Sequence, residues 1–141
     1  MISVRNYKIS DYSQIASLYK QGETFGGQFD EDRDSPERLS ESIQHDPASI
    51  LVCELDGAIL GTVSLIENVR AAWLFRFAVA HSSDKDAVAR ALYTEATNIL
   101  RARGHAQVLV YGPHENEDFA ERYIALGFEK GADYTCFWRA I

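Results

Sequence analysis

Arg76 stands inside the run from Trp73 to Ala80, which is apolar on both alternating faces apart from that one guanidinium. A charge placed there needs a partner, and two sources are open: an acidic group on a substrate, or a carboxylate from the chain's own acidic stretch. That stretch holds Glu23, Asp30, Glu31, Asp32, Asp34, Glu37 and Glu41. It reads either as a solvated loop and helix face or as a mouth that attracts cationic molecules. His45, His81, His105 and His114 are dispersed, and Cys53 and Cys136 form no Cys-x-x-Cys pair, so no zinc site is signalled. Both cysteines sit in apolar runs; a lone disulfide between them is one reading, and two buried, reduced thiols are the expectation. The absence of Gly-x-Ser-x-Gly and of a Walker-type glycine loop weakens hydrolase and nucleotide-kinase readings. Near the C-terminus, Asn116, Tyr123 and Gly127 are spaced as a helix cap, an inward ring and a terminating glycine. Ser83 with Asp86 three residues on is nearly a capping box.

The elements that must position these residues follow from periodicity. With 141 residues, 46% of them hydrophobic, the chain has the length of one domain with a continuous core. A strand is expected over 2–7, then a helix capped by Ser10 with Tyr12, Ile15, Ala16 and Tyr19 inward, ended by Gly22, Gly26 and Gly27. Ser35-Pro36 opens a second helix carrying Leu39 and Ile43, which stops before Pro47. Segments 49–55 and 58–66 read as a hairpin across Asp56-Gly57, and 73–80 as a strand covered on both sides. A long helix over 83–103 buries Val88, Ala91, Leu92, Ala96 and Ile99. Gln107–Tyr111 is a further buried strand, a helix from Asn116 turns Phe119, Tyr123 and Ile124 inward, and strand-like segments close the chain around Phe128 and over 134–140. The order β-α-α-β-β-β-α-β-α-β-β describes a single α/β domain over 1–141, with a mixed, mostly antiparallel sheet flanked by helices. A formal charge of −7 with no basic cluster argues against nucleic acid or anionic membranes as partners. No apolar run approaches the roughly 18 residues of a membrane span, and the N-terminus lacks a secretory signal, so a cytoplasmic protein is expected.

With this order the chain resembles the GNAT family of N-acetyltransferases. Arg5 followed six residues later by Asp11 is similar to the family's opening pattern. Asn116, Tyr123, Gly127 and Phe128 resemble its Asn-x6-Tyr-x3-Gly-Phe signature. The strand-to-helix turn after Val79 departs from the family's Arg/Gln-x-x-Gly-x-Gly/Ala: it reads Asp84-Lys85-Asp86-Ala87-Val88-Ala89, and only Ala89 fits. A carboxylate near a pyrophosphate costs on the order of 1–3 kcal/mol at ~6–10 Å and an effective dielectric of ~20. Lys85 and Arg90 stand by to offset part of it.

The resemblance implies an acetyl group moved from acetyl-CoA to a primary amine of a small molecule or peptide, by direct attack in a ternary complex. It places the thioester carbonyl on backbone N–H groups of Phe77 and Val79, and the pyrophosphate on the turn 84–89, with Asn116 and Tyr123 also lining the cofactor. It makes Tyr123 the acid for the leaving thiolate. Glu67 at a strand end is the candidate general base, with His114 a second choice and His81 standing where the family often has proline. The acidic stretch would favour a cationic acceptor such as a polyamine, an aminoglycoside or a lysine side chain. The altered turn leaves an alternative, a GNAT-fold binding or regulatory protein whose coenzyme A site is weakened or lost. Family members often form homodimers, and Thr135 to Trp138 is either an edge for that or part of the core.

Overall fold

Asp56 and Gly57 take φ of 52° and 83°, the paired positive angles of a two-residue hairpin whose second position favours glycine. They join β2 (Ile50–Leu55) to β3 (Ala58–Glu67). The computed structural model describes residues 1–21 and 29–141. Gly22, Gly26 and Gly27, expected to end the first helix, and Glu23 of the acidic stretch lie outside the described residues. The sheet has the order β1-β2-β3-β4, with β1 (Ile2–Asn6) and β4 (Ala72–Val79) at its ends and every neighbour antiparallel.

Two cores sandwich the sheet. One lies against α1 (Tyr12–Gln21) and α2 (Pro36–His45), where Ile15, Leu18, Tyr19 and Leu39 meet Ile50, Val52, Ile59 and Ala78. The other lies against α3 (Lys85–Ala102) and α4 (Glu117–Ala125), where Val88, Leu92, Ala96, Leu100, Phe119 and Tyr123 meet Leu51, Val63, Leu74 and Phe77. Each large side chain so buried contributes roughly 1.5–3 kcal/mol. The Ser35 Oγ accepts the Arg38 N–H at 3.2 Å and Pro36 occupies the first turn, as the sequence predicts for α2. Ser10 does not cap α1. It lies inside a 3-10 turn over Ile9–Asp11, where the Asp11 carboxylate accepts the Lys8 N–H at 2.9 Å.

Gly61 sets how closely α3 approaches. A Cβ on it would stand 2.7 Å from Val88 Cγ1 and 2.8 Å from Leu92 Cδ1, inside normal van der Waals contact, so only glycine allows this seating.

Several expectations are corrected. Gln107–Tyr111 is not a full strand: it joins the sheet through one parallel bridge, Trp73 with Leu109. Around Phe128 and over 134–140 no strand forms, and Tyr134, Phe137 and Trp138 are 84%, 91% and 85% exposed. Cys53 is fully buried, whereas Cys136 is exposed with this segment. β-rich composition supplies propensity, but a strand also needs a partner edge. On α4, Ile124 is exposed and Leu126 takes the inward place, because 119, 123 and 126 follow the helical stripe. On α3 the buried stripe is Val88, Ala89, Leu92, Ala96 and Leu100, with Ala91 and Ile99 at its margin.

Candidate active site

β4 carries a bulge. Thr62 pairs with Ala78 and Ser64 with Phe75, so Arg76 and Phe77 together face Val63, and Arg76 takes φ of +50°. The bulge changes which backbone groups look outward. The Leu74 N–H donates to the Leu109 carbonyl at 3.0 Å, away from β3, while the Ala80 N–H donates to the Leu60 carbonyl at 2.8 Å, toward β3. Alternation back from Ala80 turns the Phe77 and Val79 N–H groups toward the edge that Gln107–Tyr111 flanks. That segment is tied to β4 at Trp73, and β4 continues from there to Val79.

Tyr123 closes this edge from the α4 side. Its ring centroid lies 6.2 Å from that of Phe77, 4.9 Å from Phe119 and 5.3 Å from Phe128. Burial pushes the phenol well above its ordinary value, so Tyr123 is a protonated, donor-capable hydroxyl across the neutral range. The Asn116 Oδ1 accepts the Phe119 N–H at 3.0 Å as the cap of α4, which fixes where the helix starts and therefore where Tyr123 points.

The turn after β4 ends at Asp84, the N-cap of α3, whose side chain makes no capping hydrogen bond. The near capping box read from Ser83 and Asp86 is therefore not formed. The first intrahelical bond runs from the Val88 N–H to the Asp84 carbonyl at 2.9 Å, so the N–H groups of Asp86 and Ala87 precede it at a dipole-positive helix end. Lys85, Asp86 and Ala87 are exposed, whereas the Val88 and Ala89 side chains are buried in the core under the sheet. The donor set suits a phosphate-bearing group, with the Asp84 and Asp86 carboxylates opposing it. Arg90 does not offset them: its Nη2 donates to the Ala125 carbonyl at 2.5 Å and ties α4 to α3.

The structure does not bring Glu67 to Tyr123. The register sets Glu67 opposite Ala72, while Phe77, against which Tyr123 packs, lies five residues further along β4, about 16 Å at strand rise. Glu67 is held there by Arg103 and by His105 Nε2 at 2.5 Å, and Arg103 also grips Asp46 at 2.8 Å. This network pins the end of α3 to β3 and to the end of α2. His114 is exposed, 3.5 Å from Glu115. His81 is exposed in the turn after β4.

Of the two sources for a partner to Arg76, the acidic stretch supplies it. Arg76 Nε donates to both Asp34 oxygens at 3.1 Å. The sequence offered the stretch but not which of its carboxylates, because the two members lie 42 residues apart. The Arg5–Asp11 spacing has a physical basis too: Arg5 Nη1 and Nη2 donate to the two Asp11 oxygens at 2.8 and 3.0 Å, fastening β1 to the start of α1.

An antiparallel four-stranded sheet with one parallel bridge, a bulged edge strand and a helix N-terminus at that strand's end defines an acyl-CoA N-acyltransferase fold. The model of the acetyltransferase (GNAT) family matches residues 12–128, and the chain belongs to that family. Its fold is shared with PaiA N-acetyltransferase from Thermoplasma acidophilum, solved in complex with coenzyme A, at a TM-score of 0.77 and 19% identity over 94% of this chain and 93% of that one. Ard1 from Thermoplasma volcanium gives a TM-score of 0.76 and 17% identity over 93% and 84% of the two chains. An N-acetyltransferase from Staphylococcus aureus Mu50 gives 0.72 and 17% over 94% and 86%. No curated protein matches the sequence. Acetyl-CoA is the co-substrate of the family. Among the described residues no helix is long and apolar enough to cross a membrane.

Proposed function

We propose that residues 1–141 act as one catalytic domain that acetylates a primary amine with acetyl-CoA in the cytoplasm. One observation carries the reading: the β4 bulge turns the Phe77 and Val79 N–H groups to the edge that Tyr123 closes. Bound acetyl-CoA supplies an activated thioester, and the chain's own groups do the rest. The N–H groups of Asp86 and Ala87 hold the pyrophosphate at the head of α3. Those of Phe77 and Val79 polarise the thioester carbonyl where negative charge develops. A neutral amine nitrogen bonds to the carbonyl carbon, the carbon–sulfur bond breaks, and the Tyr123 hydroxyl gives its proton to the departing thiolate. The ammonium proton of the tetrahedral adduct leaves to water, since Glu67 is ion-paired at the other end of the sheet, and water returns a proton to the Tyr123 phenolate. Burial raises the phenol and so keeps it protonated, with its proton held for the departing thiolate.

The exposed acids Glu31, Asp32, Glu37 and Glu41 support drawing a protonated amine toward this side by charge. The aromatic tail supports a homodimer: Tyr134, Phe137 and Trp138 would together bury roughly 450–750 Å², more than half of the ~800 Å² per partner of a standard interface. The test is release of coenzyme A thiol from acetyl-CoA with an amine panel. Acetylated product from at least one primary amine is expected; hydrolysis alone, or no thiol at all, would contradict the reading.

A further inference from the structure

Arg76 is held in a way that a purely structural ion pair does not require. Its side chain is 6% exposed and that of Asp34 is 4% exposed. A stabilising arginine–carboxylate pair commonly uses two nitrogens in a fork, but Asp34 engages Nε alone, with both oxygens at 3.1 Å. Nη2 is buried with no hydrogen-bond partner. Buried donors without acceptors are rare in native proteins and ask for an explanation.

The surroundings fix the guanidinium rather than satisfy it. Asp34 is itself anchored: its Oδ2 accepts the Asp30 N–H at 2.8 Å and its carbonyl accepts the Tyr12 hydroxyl at 2.7 Å. The Phe75 ring centroid lies 4.4 Å from Arg76 Cζ and covers one guanidinium face. The backbone of Arg76 is in the left-handed region at φ +50°, uncommon for a side chain of this size. Such strain persists where surrounding structure enforces it, and it gathers at ligand sites. Arg76 also sits one residue before Phe77, on the side of the sheet that α1 and α2 cover. The α3 and α4 side, where the proposed cofactor contacts lie, is the other one.

From this geometry we infer that the Nη edge of Arg76 takes a carboxylate of the acceptor, so that the amine to be acetylated belongs to an amino-acid-like molecule. The inference rests on the acetyltransferase reading above for the identity of the reacting amine. A carboxylate fits better than a phosphate. It is planar, matches two parallel N–H donors, and brings one negative charge to a pair that Asp34 has already neutralised. The surface acids and Arg76 then read the two ends of one acceptor, its ammonium and its carboxylate.

The probes are the twenty L-amino acids, each against its own α-carboxamide, added to the coenzyme A-loaded protein. Thermal shift and calorimetry read binding to the coenzyme A-loaded protein, and thiol release with acetyl-CoA in place of coenzyme A reads turnover. For the preferred amino acid, the acid is expected to bind at least 10-fold more tightly than its amide. Arg76→Lys is expected to reduce that ratio to about 2-fold, while the dissociation constant for coenzyme A is unchanged. Losing a charge-assisted bidentate contact removes roughly 10- to 150-fold. Equal binding of acids and amides by the wild-type protein would overturn the inference, as would a ratio that survives Arg76→Lys. If that variant does not fold, the wild-type ratio decides alone. If coenzyme A fails to bind, the acetyltransferase reading falls, and the acid-to-amide ratio measured on the free protein still decides this one.

Discussion

Replacing Gly61 by alanine tests how α3 is seated on the sheet. The added Cβ would lie 2.7 Å from Val88 Cγ1 and 2.8 Å from Leu92 Cδ1. Carbon pairs prefer about 3.5–4.0 Å, so roughly 1 Å must be opened. Val88 cannot yield: it is fully buried, and a β-branched side chain in a helix has essentially one rotamer. The start of α3 must therefore lift, carrying residues 84–87. Overpacking of this kind costs about 1–3 kcal/mol, offset by about 0.4–1 kcal/mol from the narrower unfolded chain. A net loss of about 1–2 kcal/mol over 141 residues lowers Tm by roughly 3–6 °C. Thermal unfolding by circular dichroism reads the first effect, and calorimetric titration with coenzyme A reads the second, a weaker dissociation constant. Val88→Ala destabilises on its own by opening a cavity, but in combination it relieves the clash. The double variant should thus be more stable than the sum of the single effects by about 1 kcal/mol. Gly61→Ala within 0.5 kcal/mol of wild type, with no coupling to Val88, would refute the reasoning.

Other consequences can be measured independently. Tyr123→Phe keeps the ring stacked on Phe77, Phe119 and Phe128, so Tm and coenzyme A affinity should hold while kcat falls about 10²- to 10⁴-fold; an unchanged kcat would reduce Tyr123 to packing. Burial raises the Asp11 carboxyl, yet hydrogen bonds from Arg5 and the Lys8 N–H outweigh this and hold it below the usual carboxylate range. Its folded value lies below its unfolded one, so its stabilisation is complete above about pH 4 and is lost as pH falls through the folded value. Asp11→Asn should cost about 1–3 kcal/mol at pH 7, with the gap to wild type closing in acid; a gap constant to pH 2 would contradict this. Burial pushes the Cys53 thiol up to about 11, so a thiol reagent at pH 8 should titrate Cys136 alone until denaturant is added. Reaction of Cys136 should slow as concentration rises if two copies bury the aromatic tail; a rate independent of concentration would argue against that dimer.

Local signals transferred well from residues to structure. Asp56-Gly57, Ser35-Pro36 and the Asn116-to-Gly127 spacing each encode a turn or a cap within a few residues, and each formed where it was expected. Contacts across the fold were less accessible. The Arg76–Asp34 pair, the grip of Arg103 on Glu67, and the approach of Val88 to Gly61 depend on which elements become neighbours, which periodicity does not specify. Glu67 looked available because a strand end beside an apolar strand is a plausible place for a base; register put it at the opposite end from Tyr123. The apolar runs at 107–111 and 134–140 carry strand propensity, yet one makes a single bridge and the other none, because pairing needs an edge as well as a sequence. The altered turn shows the same division. The missing glycine and the aspartates at 84 and 86 are visible in the residues, but that the Asp86 and Ala87 N–H groups still head α3 is a property of the backbone.

Titration of the purified protein with acetyl-CoA and with coenzyme A, by calorimetry at low and moderate salt, bears most directly on the acetyltransferase reading. Saturable binding with micromolar dissociation constants, weakening as salt is lowered because Asp84 and Asp86 repel the phosphates less well screened, is the predicted result. No heat and no thermal stabilisation at millimolar acetyl-CoA, from a folded sample, would contradict it and mark the head of α3 as closed to the cofactor.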